Sequence, residues 1–234
     1  MTERPIIFSA PMVRALLEGR KTQTRRILKL QPEAADCIEA HPDHANEFSP
    51  WRGGERLHSI VVPFAKGDRL WVRENCRGEE LDSGLDGVRY KADDVFVPIE
   101  NTQRAGIDWL ALHTYRGHRG SCVGPWVPSI HMPRWASRIT LAVTEVRVQR
   151  LQDISRDDAM AEGIVQTWGD FMGDPPEWAV ASINRHGDAS GSHIYDNRTS
   201  VANFRELWSH INGPGSWDAN PWVAAISFTV EKGP

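Results

Sequence analysis

Apolar residues recur along this chain in two periods, and the switches between them outline its elements. Near the N-terminus "PIIFS" is a short apolar run that predicts a strand. In "APMVRALLEGR", Met12, Val13, Leu16 and Leu17 fall at helical spacing and Gly19 supplies a stop, which predicts a one-faced helix of about two to three turns. "TQTRRI" then alternates, so a strand is expected that turns Thr22, Thr24 and Arg26 to one side. A Gly-Asp turn opens "GDRLWVREN", which continues as a strand through Leu70 and Val72, and "GVRYKAD" predicts another short strand. "ASRITLAVTEVRVQRLQDI" is the longest strand candidate, rich in β-branched residues, and it needs a neighbour on each side. Directly after it, Ser155 with Asp158 three positions on, closed by Gly163, predicts a short capped helix. "TSVANFRELWSHING" sets Phe204, Leu207, Trp208 and Ile211 at i, i+3, i+4 and i+7. "NPWVAAISFTVEK" closes the pattern as a strand with Trp222, Ala224, Ile226, Phe228 and Val230 on one face.

Between these segments, residues 31–66, 76–125 and 164–197 are polar and irregular, with "GDPP" and "HGDASGSH" the clearest loops. Loops of that length inside a compact domain act as lids or rims. The patterned skeleton is therefore about 5–30, 67–75, 126–163 and 198–231, an α+β arrangement with a mixed sheet of about five or six strands and three helices. Runs of strand without strict βαβ alternation favour a curved or barrel-like sheet over a doubly wound one. The length of 234 residues fits a single domain, 1–234, with sizeable insertions. Hydrophobic residues at 40% and charged residues at 25% are the balance of an ordinary folded protein and exclude wholesale disorder. No run reaches the roughly 18 apolar residues of a membrane span, and the N-terminus lacks the apolar core of a signal sequence. A cytoplasmic address without a membrane partner is expected. Cys37, Cys76 and Cys122 agree with it, since they are few, distant and lack CxxC spacing, as reduced thiols would be.

Charge changes the picture locally. The chain carries a net charge of -4, yet its first 30 residues hold Arg4, Arg14, Arg20, Lys21, Arg25, Arg26 and Lys29 against only Glu3 and Glu18. A basic face on an acidic body suits an anionic ligand at one place better than nonspecific coating of a polymer. Within that face stands Gly19-x-Lys21-x-x-Thr24-x-Arg26. Gly19 lets the chain leave the helix through a left-handed conformation and fixes the next residues relative to the helix end. Lys21 is then an anion hook, or a base where burial lowers its pKa, Thr24 offers a hydroxyl, and Arg26 offers a bidentate fork. The plain reading of the same residues is that cations after a helix C-terminus answer its dipole and Thr favours strands.

The string "LLEGRKTQTRR" resembles the ASCH family signature GxKxxExR at Gly19, Lys21 and Arg26, with Thr24 where many members have Glu. The resemblance extends to "GDRLWVRE", to "SRITLAVTEVRVQRL" with "ISRDDAMAEGI" after it, and to "NPWVAAISF", and it leaves the three long loops uncovered. It implies a PUA-like β-barrel and RNA or nucleotide binding, and the whole chain looks most like the larger ASCH proteins of phages and prophages. One branch of the family removes the acyl group from N4-acetylcytidine. Its G-x-K-x-x-T pattern matches Lys21 and Thr24, and its catalytic Glu, on the helix after the long strand, matches Glu162. The resemblance thus implies Thr24 as nucleophile, Lys21 as proton acceptor and oxyanion partner, and Glu162 as proton shuttle to the leaving amine, with no cofactor and no metal.

The ten Trp residues offer stacking platforms for a base, although Trp208 and Trp222 lie on apolar faces and read as core. Trp71 and Trp135 are flanked by Arg and are the candidates for a ligand rim, together with Arg73, Glu74, His131 and Arg138, while Arg25 and Arg26 complete the substrate-binding set. Cys37, His41 and His44, and separately His113, His118 and Cys122, cluster in sequence, but neither set has the paired spacing of a zinc site. Three functions stay open: an amidohydrolase acting on N4-acylated cytidine, a binding module for single-stranded RNA or modified nucleic acid, and a ribonuclease, which no His pair supports.

Overall fold

A computed structural model describes residues 2–32, 34–119, 122–164 and 200–232. The third expected loop, 164–197, lies outside the described residues apart from Ile164. The described chain is mixed α+β, with strands outnumbering helices, and divides into two compact units. Among the described residues the sheets are open rather than closed into a barrel, and no helix is long and apolar enough to cross a membrane.

The first unit comprises Met1–Leu17, Arg69–Ala142 and Val230–Pro234. Here β1 (Glu3–Ile7) runs parallel to β7 (Arg69–Arg73), with Ile6 opposite Val72, and β7 pairs antiparallel with the start of β11 (Ile139–Arg150), Thr140 opposite Trp71. Leu70, Val72, Ile139 and Leu141 on one face and Trp71 and Thr140 on the other are all buried, so these strands are covered on both faces. The expected N-terminal helix is α1 (Ala10–Leu17), which buries Val13, Ala15 and Leu16 and donates from Arg14 Nη1 to the Ala92 carbonyl at 2.6 Å.

The stretch 76–125, read from sequence as irregular apart from the strand at "GVRYKAD", holds more regular structure than expected among its described residues, and that strand is found. The stretch contains an antiparallel sheet of β8 (Cys76–Glu80), β9 (Asp86–Tyr90) and β10 (Phe96–Pro98), followed by α2 (Gln103–His113). Thr102 caps that helix by accepting from the Ala105 amide at 3.1 Å. Only Trp109, Leu112 and His113 of α2 are buried, while Ile107 and Leu110 are exposed, so its apolar residues do not mark one face. Cys76, Val88, Tyr90, Leu112, Val127 and Met132 form the core of this part. Cys76 is buried there and its thiol is pushed up to about 12 by desolvation. Cys37 and Cys122 are exposed, and all three cysteines are free.

The second unit comprises Glu18–Asp68 and Val143–Thr229. Its strand order is the later part of β11, then β12 (Trp222–Lys232), then β2 (Gln23–Ile27). β12 was expected to bury one face, but Val223 and Ala225 are as buried as Ala224 and Ile226. A strand with a neighbour on each side and both faces covered loses its alternation of polarity. β2 pairs antiparallel with it, Thr24 opposite Ile226 and Arg26 opposite Ala224. Residues 31–66, also read as a loop, contain β3 (Cys37–Ala40), β4 (Glu47–Arg52), β5 (Glu55–Arg56) and β6 (Ile60–Val61) in a small antiparallel sheet. Among the described residues two α-helices complete the unit, α3 (Arg156–Ala161) and α4 (Ser200–Asn212). α4 buries Phe204, Leu207 and Trp208 as its period predicts, whereas Ile211, one turn on, is 60% exposed.

Candidate functional site

Two distant segments of the chain converge in the second unit. After α1 the backbone turns at Gly19, whose φ of 75° is the left-handed conformation that a side chain would strain. Lys21 comes two residues later, so its position is set by that turn. On the other side, Ser155 caps α3 by accepting from the Asp158 amide at 3.1 Å, and the helix ends at Glu162. Gly163, at φ 90°, donates to the Met160 carbonyl at 2.8 Å and turns the chain away. The two segments are stitched by backbone: Thr22 donates to the Ala161 carbonyl at 2.8 Å, and Lys21 and Glu162 form an antiparallel bridge.

The side chains complete the junction. Lys21 Nζ donates to Glu162 Oε2 at 2.7 Å and to the Glu162 carbonyl at 2.9 Å. Arg25 takes the other oxygen, Nη1 to Oε1 at 3.1 Å, and reaches Asp158 Oδ2 with Nη2 at 3.0 Å. The same Nη1 donates to Gln23 Oε1 at 2.5 Å, and Gln23 Nε2 donates to Asp158 Oδ1 at 3.1 Å. Asp158 also accepts from Arg147 Nη2 at 2.8 Å, which ties the end of β11 into the cluster. Lys21 and Glu162 are 2% and 4% exposed, and the Arg25 side chain has no exposure at all.

Strand alternation explains which residues meet. Gln23 and Arg25 of β2 both reach α3, on the face opposite Thr24 and Arg26, while Lys21 lies before the strand and meets Glu162 through the backbone bridge. Thr24 is buried at 4% exposure, and none of the hydrogen bonds of the cluster reaches its hydroxyl. Arg26 is half-buried. Its positive charge acts on Lys21, and it feels the charge of Glu162 in turn, so the Thr24 face is electrostatically coupled to the pair. Arg25, expected to bind substrate, is instead enclosed and bonded to protein groups. Gln23, Arg147 and Asp158 were not anticipated, the last because its place in α3 reads as a capping residue.

Burial sets the electrostatics. Desolvation lowers the Lys21 pKa most, and the charges of Arg26 and Arg25 lower it further, while Glu162 opposes them by attraction and hydrogen bonding. The balance is downward. Arg26 is lowered as well, chiefly by burial. For Asp158, burial acts to raise the pKa but is outweighed by hydrogen bonds from Arg147 and Gln23 and by the charges of Arg25 and Arg147, so it lies below its ordinary value. A carboxyl depressed in the fold stabilises fully above its unfolded pKa of about 3.9, and that contribution is lost as pH falls through the lower folded value. Asp158→Asn is therefore expected to flatten the decline of the urea midpoint below about pH 4. A mutant slope equal to that of the wild type would show that Asp158 titrates normally.

The remaining candidates belong to the first unit. Arg138 forks onto Glu74, Nε to Oε1 at 2.8 Å and Nη2 to Oε2 at 3.0 Å, and binds Asp93 with Nη1 and Nη2 at 2.8 and 2.9 Å. Tyr90 lies beneath it, the guanidinium carbon 4.0 Å from the ring centroid. Desolvation raises the Glu74 pKa against the pull of Arg138. Trp71 is buried under the guanidiniums of Arg73 and Arg134, at 4.5 and 5.7 Å. Trp135 is the more open indole and lines a pocket of about 490 Å³ with Val88, Tyr90, Val97 and Ile99, rimmed by Glu100 and Arg104. His131 packs against Tyr115, ring centroids 5.5 Å apart. Among the described residues no three His, Cys, Asp or Glu side chains gather as metal ligands; the rings of His41 and His44 approach to 4.8 Å, and those of His113 and His118 to 5.9 Å.

What the fold and the cluster define is a mixed α+β protein with a buried, charge-dense junction of amine, carboxylates and guanidiniums. No family model, curated protein or solved structure matches the chain.

Proposed function

We propose that this is an ASCH-like, PUA-related cytoplasmic protein whose Lys21 junction binds a nucleoside base and hydrolyses the amide of N4-acylated cytidine. The observation that carries the reading is the buried ion pair of Lys21 and Glu162, 2.7 Å apart, on the same short segment as the buried hydroxyl of Thr24. Buried ion pairs are weak devices for stability, and ionisable groups with perturbed pKa values concentrate where proton transfer is needed. A lysine whose pKa is lowered by burial is the form a general base requires.

In this reading Thr24 Oγ1 attacks the acyl carbon and its proton passes to Lys21 Nζ. The tetrahedral oxyanion is met by the cationic charge of Lys21 and Arg26. The C–N4 bond then breaks, and N4 takes a proton relayed from Lys21 through Glu162 to leave as the amine of cytidine. Water, deprotonated by the same pair, cleaves the acyl-Thr24 ester to a carboxylate and regenerates the hydroxyl. No redox partner or metal enters the balance.

A second reading, a binding module for single-stranded RNA or modified nucleic acid, is favoured by one feature: the hydrogen bonds of Arg25 go to protein groups, as in a structural junction. Incubating the protein with N4-acetylcytidine and following release of cytidine and acetate by chromatography separates the two. Turnover with little salt dependence is expected. No turnover, together with RNA binding that weakens steeply as salt rises, would replace the enzyme with the binding module.

A further inference from the structure

Of all the groups in the cluster, Arg25 has the most constrained geometry. One nitrogen, Nη1, bridges Gln23 Oε1 and Glu162 Oε1, and the other, Nη2, holds Asp158 Oδ2. Asp158 is held in turn by Gln23 Nε2 and by Arg147 Nη2. Phe204 of α4 lies beside the same group, 5.8 Å from the guanidinium carbon to the ring centroid. A guanidinium with no exposed surface and two carboxylates in its fork has one orientation.

That orientation governs Glu162. Its two oxygens are divided, Oε1 to Arg25 and Oε2 to Lys21, so the carboxylate plane cannot turn without breaking one of two charge-assisted bonds. We propose that Arg25 is a positioning residue: by taking Oε1 and anchoring on Asp158 it holds Glu162 so that Oε2 faces Lys21 Nζ. This rests on the amidohydrolase reading for its catalytic consequence, but the geometry it asserts is a property of the junction itself. The chain Arg147–Asp158–Arg25–Glu162–Lys21 then joins β11, α3 and β2 into one support for the reacting amine. The charges facing Lys21 and its partner are Glu162 and Asp158 from α3 and its end, Arg25 and Arg26 from β2, and Arg147 from β11; the Ser227 hydroxyl of β12 accepts from Gln23.

Two substitutions separate the geometry of Arg25 from its charge. Arg25→Lys keeps the charge but cannot fork between two carboxylates. It is expected to leave KM for N4-acetylcytidine within about twofold and to lower kcat on the order of 10²-fold, the penalty of a misplaced reacting group. Arg25→Gln removes the charge, and in protein labelled with ¹³C at lysine Cε the Lys21 resonance is expected to titrate at higher pH than in wild type, because an opposing cation has gone. In Arg25→Lys the same titration is expected to fall below the wild-type position, because the cation stays while the Glu162 hydrogen bond that raises the Lys21 pKa is no longer held in place. A raised KM with unchanged kcat in Arg25→Lys would overturn the proposal, since Arg25 would then touch substrate. A Lys21 titration unmoved in Arg25→Lys would overturn it too, since Glu162 would then keep its place without the fork. A wild type that does not turn over N4-acetylcytidine defeats the amidohydrolase reading alone, and the lysine titration then decides the role of Arg25.

Discussion

Replacing Glu162 by Ala is expected to destabilise the protein by about 3–5 kcal/mol, the usual cost of removing one partner from a buried ion pair. The size reflects the groups left behind. Lys21 loses its 2.7 Å acceptor and Arg25 its 3.1 Å acceptor, and both are enclosed, so neither ammonium nor guanidinium regains water. The helix end itself is little affected, because Glu162 has α-helical dihedrals that Ala adopts readily. Lys21→Met combined with Glu162→Gln should recover most of the loss: the amide oxygen of Gln still accepts from Arg25, and Met fills the volume of the lysine stem. Urea unfolding of the single and double variants at neutral pH gives the comparison. Equal midpoints for Glu162→Ala and wild type would mean that water reaches the pair.

The elements that position the junction were legible in the sequence because each carries its own signal. β2 alternates shortly after the Gly19 stop, and α3 has the Ser155 cap that the structure shows bonded to Asp158. The two small sheets were hidden apart from β9, which "GVRYKAD" signalled. β8 reads Cys-Arg-Gly-Glu-Glu, with no apolar alternation, and is held partly by Glu79, which binds Arg77 and Arg89 at 2.9 and 2.7 Å. Such strands take their order from neighbours rather than from their own composition. In the junction, the pairing of Lys21 with Glu162 spans 141 positions, a separation at which only family resemblance suggested a match. Asp158 is hard to single out from sequence because its backbone amide and its carboxylate do different things: the amide is capped by Ser155 while the carboxylate serves Gln23, Arg25 and Arg147. The choice of the Thr24 face over the Gln23 face was a register question, and periodicity gives the two faces of a strand without saying which meets the helix.

Lys21→Arg is expected to abolish deacylation as completely as Lys21→Met, with kcat/KM for N4-acetylcytidine lowered by about 10²–10⁴-fold in both. Proton affinity decides this, rather than charge. Arg keeps a cation opposite Glu162 but stays protonated at every working pH, so it can steady an oxyanion and cannot accept the Thr24 proton. If Lys21 served only as an anion hook, Arg would retain most of the rate. The pH profile supplies the second half of the test. The base must be unprotonated, so kcat/KM should rise as pH climbs through the Lys21 pKa and level off once it is passed. Burial and the neighbouring Arg26 and Arg25 lower that pKa, so the plateau is expected to begin below the ordinary lysine value of about 10.4. Removing Glu162 by substitution with Gln takes away the group that favours the charged amine, and it should move the rising limb to lower pH while reducing the plateau through loss of the shuttle. A rising limb that stays fixed in Glu162→Gln would assign the titration to another group and remove Lys21 from the role of base.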